Sequence, residues 1–187
     1  MTRQITERAD LVLALADTFR RHGFEGASLA TMSAETGLGK GSLYHFFPGG
    51  KEEMAAVVLD EVHGWFSREV HGPLTSGGDP GQQIAAMFVA TARYFGSRQL
   101  VCLFGAFALG RERERFAQSI RRFFDEWIVA LRGALERLGR SPDRAETIAI
   151  DVVSGIQGAL VVARALQDEQ VFLDALERLQ ATALSDA

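Results

Sequence analysis

The sequence predicts an all-helical protein of about nine helices. Three observations point there. Apolar residues recur every three to four positions through nearly the whole chain, and no run alternates apolar and polar residues as a half-buried strand would. The periodic stretches are also punctuated by Ser, Asp, Gly and Pro where helices begin and end.

Taken in order, Ile5, Ala9, Val12, Ala16 and Phe19 form one apolar stripe, with Arg3, Glu7, Asp10, Asp17 and Arg21 opposite, and Gly23 closes this first helix as a C-cap. Ser28, whose hydroxyl can accept a free backbone N–H, starts a short helix, Leu29 to Thr36. Gly37-Leu38-Gly39 is a turn, a second short helix runs from Lys40 to about Phe47, and Pro48-Gly49-Gly50 breaks it. A longer helix begins near Lys51 and reaches about residue 70, with Glu52 and Glu53 placed favourably against the dipole of its first turn. Gly72-Pro73 and the run from Thr75 to Pro80 form a flexible joint. Beyond it lie a fifth helix, about Gly81 to Phe95, and a compact buried helix over 99–110. The longest periodic stretch follows, Glu112 to Leu138, with Phe116, Ile120, Phe123, Trp127, Leu131 and Leu138 on one face. Ser141-Pro142 is an N-cap with proline at the first helical position, and the helix it opens is apolar almost all round to about Leu166. A last helix carries Phe172, Ala175, Leu176 and Leu179.

Composition narrows the function classes. The chain has 187 residues, 47% apolar and 24% charged, the balance of a globular protein. Its formal charge of −4 argues against a protein that coats nucleic acid without sequence preference. The lone Cys102, set among Leu100, Val101, Leu103 and Phe104, excludes an intrachain disulfide and reads as a buried inert thiol. His63 and His71 are two turns apart without a third ligand, so no metal site is expected. No nucleophile elbow, glycine-rich phosphate loop or Glu-x-x-His pair is present, so neither enzymatic activity nor a cofactor is expected. The first seven residues lack the apolar core of a signal peptide, and the uncharged stretch Gln99 to Gly110 is far short of the ~20 residues of a membrane span, so a cytoplasmic protein with no membrane partner is expected. Arg111 to Arg115, with alternating charges, reads as a solvated helix start.

Charge is unevenly spread. Residues 1–51 hold Arg3, Arg8, Arg20, Arg21, Lys40 and Lys51 against Glu7, Asp10, Asp17, Glu25 and Glu35, a small positive excess in an acidic chain. Both lysines of the sequence fall there, Lys40 within and Lys51 just beyond residues 28–47, which have the spacing of a helix-turn-helix. Gly37 can adopt the left-handed turn, and Ser33 is small where the two helices nearly touch. Leu29, Met32, Leu38 and Leu43 make the miniature core that sets the crossing angle. The second helix presents Lys40, Gly41, Ser42, Tyr44 and His45 outward: small residues let its backbone approach base edges, and the longer polar side chains reach phosphates. By length and periodicity alone the favoured reading is an ordinary three-helix bundle with two lysines on a solvated face.

The ordered pieces go further. Phe19-Arg20-Arg21-His22-Gly23-Phe24, Ser28-Leu29, the run Gly37 to Phe47 and Lys51-Glu52-Glu53-Met54 resemble the N-terminal domain of the TetR family, over residues 8 to about 60. Cys102-Leu103-Phe104-Gly105 and the Pro48-Gly49-Gly50 turn resemble its LmrA/YxaF-like branch. The resemblance implies a helix-turn-helix domain over 1–50 and a ligand-binding and dimerisation domain over 51–187. It assigns Ser28 and Lys51 to phosphates, Lys40, Gly41 and Ser42 to the recognition helix, and Tyr44 and His45 to the backbone of one strand. It further implies a homodimeric repressor of operator DNA, released by a small, largely apolar inducer. Three departures stand out: Ser33 for the usual alanine, which fits if its hydroxyl bonds back to the preceding turn, Gly39 for a serine cap, and Gly50 as an added residue before Lys51.

In the second half, Trp65, Phe88, Phe95, Phe104, Phe107, Phe123 and Trp127 are candidates for an apolar pocket, each with core packing as its alternative. Gln157, a polar residue in an apolar helix, is a further candidate, with a satisfied core hydrogen bond as its alternative. A helix apolar on all faces must be covered on all faces, by its own domain and by a partner, so Val152, Ile156, Ala159, Ala163, Phe172 and Leu176 are expected at the dimer interface, with a fully buried core helix in a monomer as the alternative.

Overall fold

Ten α-helical segments, one of them a single turn, make up the described residues, 8–185, of this computed structural model. α1 (Arg8–Gly26) buries Leu11, Val12, Leu15, Ala16 and Phe19 along one side. Ala9, expected in that stripe, is exposed, while Arg3, Ile5 and Glu7 lie outside the described residues. The backbone leaves helical geometry at Gly23 (φ 65°, ψ 178°), and the turn after it buries Phe24. α2 (Leu29–Thr36) and α3 (Lys40–Phe46) follow, then α4 (Gly50–Phe66).

The expected flexible joint is largely helical. α4 runs into a π-turn, Ser67–His71, and a one-turn α5 (Gly72–Thr75), where Pro73 sits among the first residues and its missing N–H is not needed. The Arg137 guanidinium donates to the Leu74 carbonyl and, at 3.0 Å, to the Gln83 side-chain oxygen. Gln83 in turn donates to the Ser76 carbonyl at 2.6 Å. These long-range bonds cannot be read from local composition, and they leave only residues 76–79 outside helices.

Asp79 caps α6 (Pro80–Gly96) by accepting the Gln82 N–H at 2.7 Å. The helix expected over 99–110 starts late, at α7 (Leu103–Leu109), because Gln99 (φ 56°) and Leu100 (φ 55°) are left-handed and break the ladder. Such a pair costs roughly 1–2 kcal/mol per residue. Arg164 helps to hold it by donating to the Gln99 carbonyl at 2.9 Å. After a tight turn, Arg111–Glu114, come α8 (Ala117–Arg137), α9 (Pro142–Leu166) and α10 (Glu169–Leu184), the last two capped by Ser141 and Asp168. α9 is long and apolar enough by composition to cross a membrane, which the stretch weighed above, Gln99 to Gly110, is not. Here Ile148, Val152, Val153, Ile156 and Leu160 are buried by the chain itself, while Asp151, in mid-helix, and Ile150, Val161 and Val162 are exposed, so α9 packs by one face.

The described chain packs as two units. The first holds the chain up to His63 together with Leu103–Ile120; the second holds Gly64–Cys102 and the chain from Arg121 onward. Each has its own aromatic core. In the first, the Phe24 ring meets Phe107 at 5.8 Å and Phe116 at 5.6 Å, both edge-on, and stacks on Phe19 at 6.1 Å. In the second, Phe66 meets Phe123 at 4.8 Å, Tyr94 at 4.9 Å and Trp127 at 5.2 Å. Trp127 satisfies its indole N–H on the Met87 sulfur at 3.4 Å, the polar handle a buried indole requires. α10 packs along α9 and against α6.

Candidate nucleic-acid interface

The helix-turn-helix is built by short-range hydrogen bonds. The Ser28 hydroxyl accepts the Thr31 N–H at 3.1 Å and so caps α2. Gly37 terminates α2 at φ 71°, and its N–H returns to the Ser33 carbonyl at 3.0 Å. Only glycine takes that dihedral without strain. The Ser33 hydroxyl does not bond back to its own helix as expected. It donates across the turn to the Leu38 carbonyl at 2.5 Å, because the left-handed step at Gly37 brings that carbonyl over the end of α2. Met32 and Leu43 are fully buried beneath the crossing, with Leu29 and Leu38 half-buried beside them.

α3 offers its polar side to solvent. Lys40, Gly41, Ser42, Tyr44 and His45 are all exposed, Tyr44 by 45%. A Cβ added at Gly41 would meet nothing within 4 Å, so the backbone there is open to whatever approaches. Next to α3 lies a cleft of about 380 Å³ whose lining includes Ser28, Tyr44, Gly49, Gly50, Lys51 and Glu52. It brings together three residues widely separated in sequence, Ser28, Tyr44 and Lys51. Lys40, Gly41, Ser42 and His45 are outside its lining, on the open surface of α3.

The start of α4 is unusual. Gly50 takes φ 68° and begins the helix, and the Glu53 carboxylate reaches back to accept the Gly49 N–H at 2.7 Å. The acids in this first turn are the sequence signal for that cap. Lys51 is half-buried, and its ammonium donates to the Phe24 carbonyl at 3.0 Å while lying 4.3 Å from the Phe24 ring centroid. The lysine therefore ties α4 to the end of α1 as well as lining the cleft. Two residues to which the sequence assigns no part in the site also belong here. Glu52 lines the cleft and is ion-paired to Arg115, which was read only as part of a solvated charge run. Nothing local in the sequence pairs positions so far apart.

The second-half candidates are distributed otherwise than the sequence reading grouped them. Phe104 and Phe107 lie in the first unit, where Phe107 packs against Phe19, Phe24 and Phe116. Trp65, Phe88, Phe95, Phe123, Trp127 and Gln157 lie in the second. Trp65 is half-buried against Tyr94 at 4.6 Å, and the Gln157 amide nitrogen is buried with no hydrogen-bond partner among the described residues. Val152, Ile156, Ala163, Phe172 and Leu176 are buried by the chain's own side chains, whereas Ala159 lines an open groove between α9 and α10. Periodicity identified them as apolar and could not say what covers them. The apolar side chains that α9 leaves in solvent are Ile150, Val161, Val162 and Leu166, 43–64% exposed.

Comparison with known proteins agrees with this architecture. Residues 11–58 match the family model of bacterial regulatory proteins of the tetR family. Residues 80–178, more than half of the chain, match the C-terminal domain of LmrA/YxaF-like transcriptional regulators. Among relatives, the HTH-type transcriptional regulator LmrA of Bacillus subtilis is 24% identical over 159 residues, covering 83% of this chain and 85% of its own. The regulator YxaF of the same organism is 23% identical over 183 residues, covering 96% of each. A TetR transcriptional regulator from Legionella pneumophila superposes with a TM-score of 0.78 at 21% identity, over 95% of this chain and 98% of that one. A cysteine variant of the TetR family regulator CifR, solved with 26 bp of double-stranded operator DNA, superposes at 0.76 with 23% identity, over 94% of this chain and 96% of its own. The chain belongs to the TetR family of bacterial transcriptional regulators, in its LmrA/YxaF-like branch.

Proposed function

We propose that this regulator is a cytoplasmic repressor that binds a pseudo-palindromic operator as a homodimer and leaves it when a small, largely apolar inducer binds. The observation that carries the reading is the surface of α3, where Lys40, Gly41, Ser42, Tyr44 and His45 are exposed beside a cleft holding Ser28 and Lys51. In this reading residues 1–50 form the DNA-binding head. α3 enters the major groove, while Ser28, Tyr44 and the start of α4 with Lys51 take phosphates. CifR, with its operator duplex, supplies the precedent.

Residues 51–187 would bind the inducer and the second copy. Dimerisation is assigned to the open face of α9 and α10. Ile150, Val161 and Val162 project there, and a groove of about 390 Å³ lined by Gly155, Gly158, Val162, Val171, Ala175 and Leu179 can accept the partner's side chains. Two heads would then meet successive major grooves ~34–36 Å apart. An inducer among the aromatic residues of the second unit, with the Gln157 amide as polar anchor, acts only through its differential affinity for the dimer states that do and do not match that spacing.

The test is fluorescence anisotropy with DNA from upstream of the protein's own gene, at two salt concentrations and against scrambled competitor. Tight, competitor-resistant binding supports a sequence-specific regulator. Failure to bind any duplex would overturn the reading.

A further inference from the structure

We infer that Arg115 is a positioning residue for DNA: it neutralises Glu52, a carboxylate in the lining of the phosphate cleft that would otherwise repel the backbone. The inference rests on the proposed DNA-binding role of the cleft. Within the cleft lining, Lys51 and Glu52 are the charged residues. The Lys51 ammonium is already engaged by the Phe24 carbonyl and ring. The charge the cleft presents most openly is therefore the Glu52 carboxylate, whose side chain is 58% exposed. A like charge at that position works against every phosphate entering the cleft.

Arg115 answers this charge. It is brought to the first unit by Leu103–Ile120, which lies far from Glu52 in sequence and folds into the same unit. Its guanidinium pairs with Glu52 and lies 5.9 Å from the Phe24 ring centroid, the ring that also carries the Lys51 ammonium. Two cations thus share one aromatic ring, one held to the Phe24 carbonyl and the other to the Glu52 carboxylate. Both partners of the ion pair are about half exposed, so it adds little to folding. Its consequence falls on a third charge, the phosphate. Removing the guanidinium would leave one uncompensated negative charge against the DNA.

The experiment is a double-mutant cycle on the full chain, read by anisotropy on a random-sequence 26-bp duplex, so that no operator need be known. Wild type, Arg115→Ala, Glu52→Gln and the double variant are compared at low and moderate salt. Arg115→Ala should weaken binding about fivefold at low salt, less at moderate salt, since exposed charges are screened. Glu52→Gln should bind at least as well as wild type, and the double variant should return to within about twofold of it, because the charge that needed neutralising is gone. Arg115→Lys, which keeps the charge, should bind nearly as wild type, and none of the variants should shift the thermal midpoint appreciably. Wild-type affinity in Arg115→Ala, or a double variant as weak as Arg115→Ala alone, would overturn the inference; the second result would mean that Arg115 contacts DNA itself or acts by packing. If wild type binds neither this duplex nor DNA from upstream of its own gene, it is the reading of the cleft as a DNA site that fails; if it binds only the latter, the same cycle is read on that DNA.

Discussion

Gly37 and Ser33 show how single atoms set the geometry of the reading head. With φ at 71°, Gly37 would place a side chain in the left-handed region, so Gly37→Ala should cost roughly 1 kcal/mol in urea unfolding although a Cβ there meets nothing within 4 Å. The cost would come from the backbone alone. Ser33→Ala removes the donor to the Leu38 carbonyl and restores the residue usual in the family. A loss of about 0.5–1.5 kcal/mol is expected if that bond fixes the turn, measured by the same unfolding. In the cleft, Tyr44→Ala and Lys51→Ala should each weaken binding to all DNA sequences and reduce its salt dependence by about one ion. Only Lys51→Ala should also lower stability, since its ammonium holds the Phe24 carbonyl at 3.0 Å. Unchanged binding by both would remove residues 28–51 from the site.

At the scale of an element, α9 carries two different apolar faces. One, with Val152, Ile156 and Ala163, is buried by the chain; the other, with Ile150, Val161 and Val162, is in solvent. Val161→Glu with Val162→Glu should leave a folded monomer where wild type elutes as a dimer, read by light scattering after size exclusion. Val152→Ala should instead cost about 2 kcal/mol of stability through the cavity it opens and leave the oligomeric state alone. A dimer undisturbed by the paired glutamates would move the interface elsewhere. Close approach of α9 and α10 depends on Gly155, where an added Cβ would lie 2.8 Å from a Leu179 methyl. Gly155→Val should therefore push α10 outward and destabilise the second unit.

Across the whole molecule, stability is divided between two aromatic cores, and the segment Leu103–Ile120 belongs to the first of them although it follows a long stretch of the second. Phe107 is fully buried among Phe19, Phe24 and Phe116, so Phe107→Ala should cost about 3–5 kcal/mol. The loss should appear in thermal unfolding before any change in the second unit. A Phe107→Ala protein as stable as wild type would mean that this segment is not part of the head's core.

Sequence by itself determined the helical class, the order of the helices and the helix-turn-helix. Those features rest on local physics: a 3.6-residue period, serine and aspartate caps, and a left-handed glycine between two short helices act within one or two turns of themselves. Ser28, Gly37 and the exposed side of α3 were legible for that reason. Tertiary structure alone decided what covers each apolar face, and so which side of α9 stays in solvent. It alone sent Phe104 and Phe107 to the first core, tied down the chain around Leu74, turned the Lys51 ammonium toward Phe24 and set Arg115 against Glu52. Each of those outcomes joins residues distant along the chain, and periodicity records that a side chain seeks burial without recording its partner.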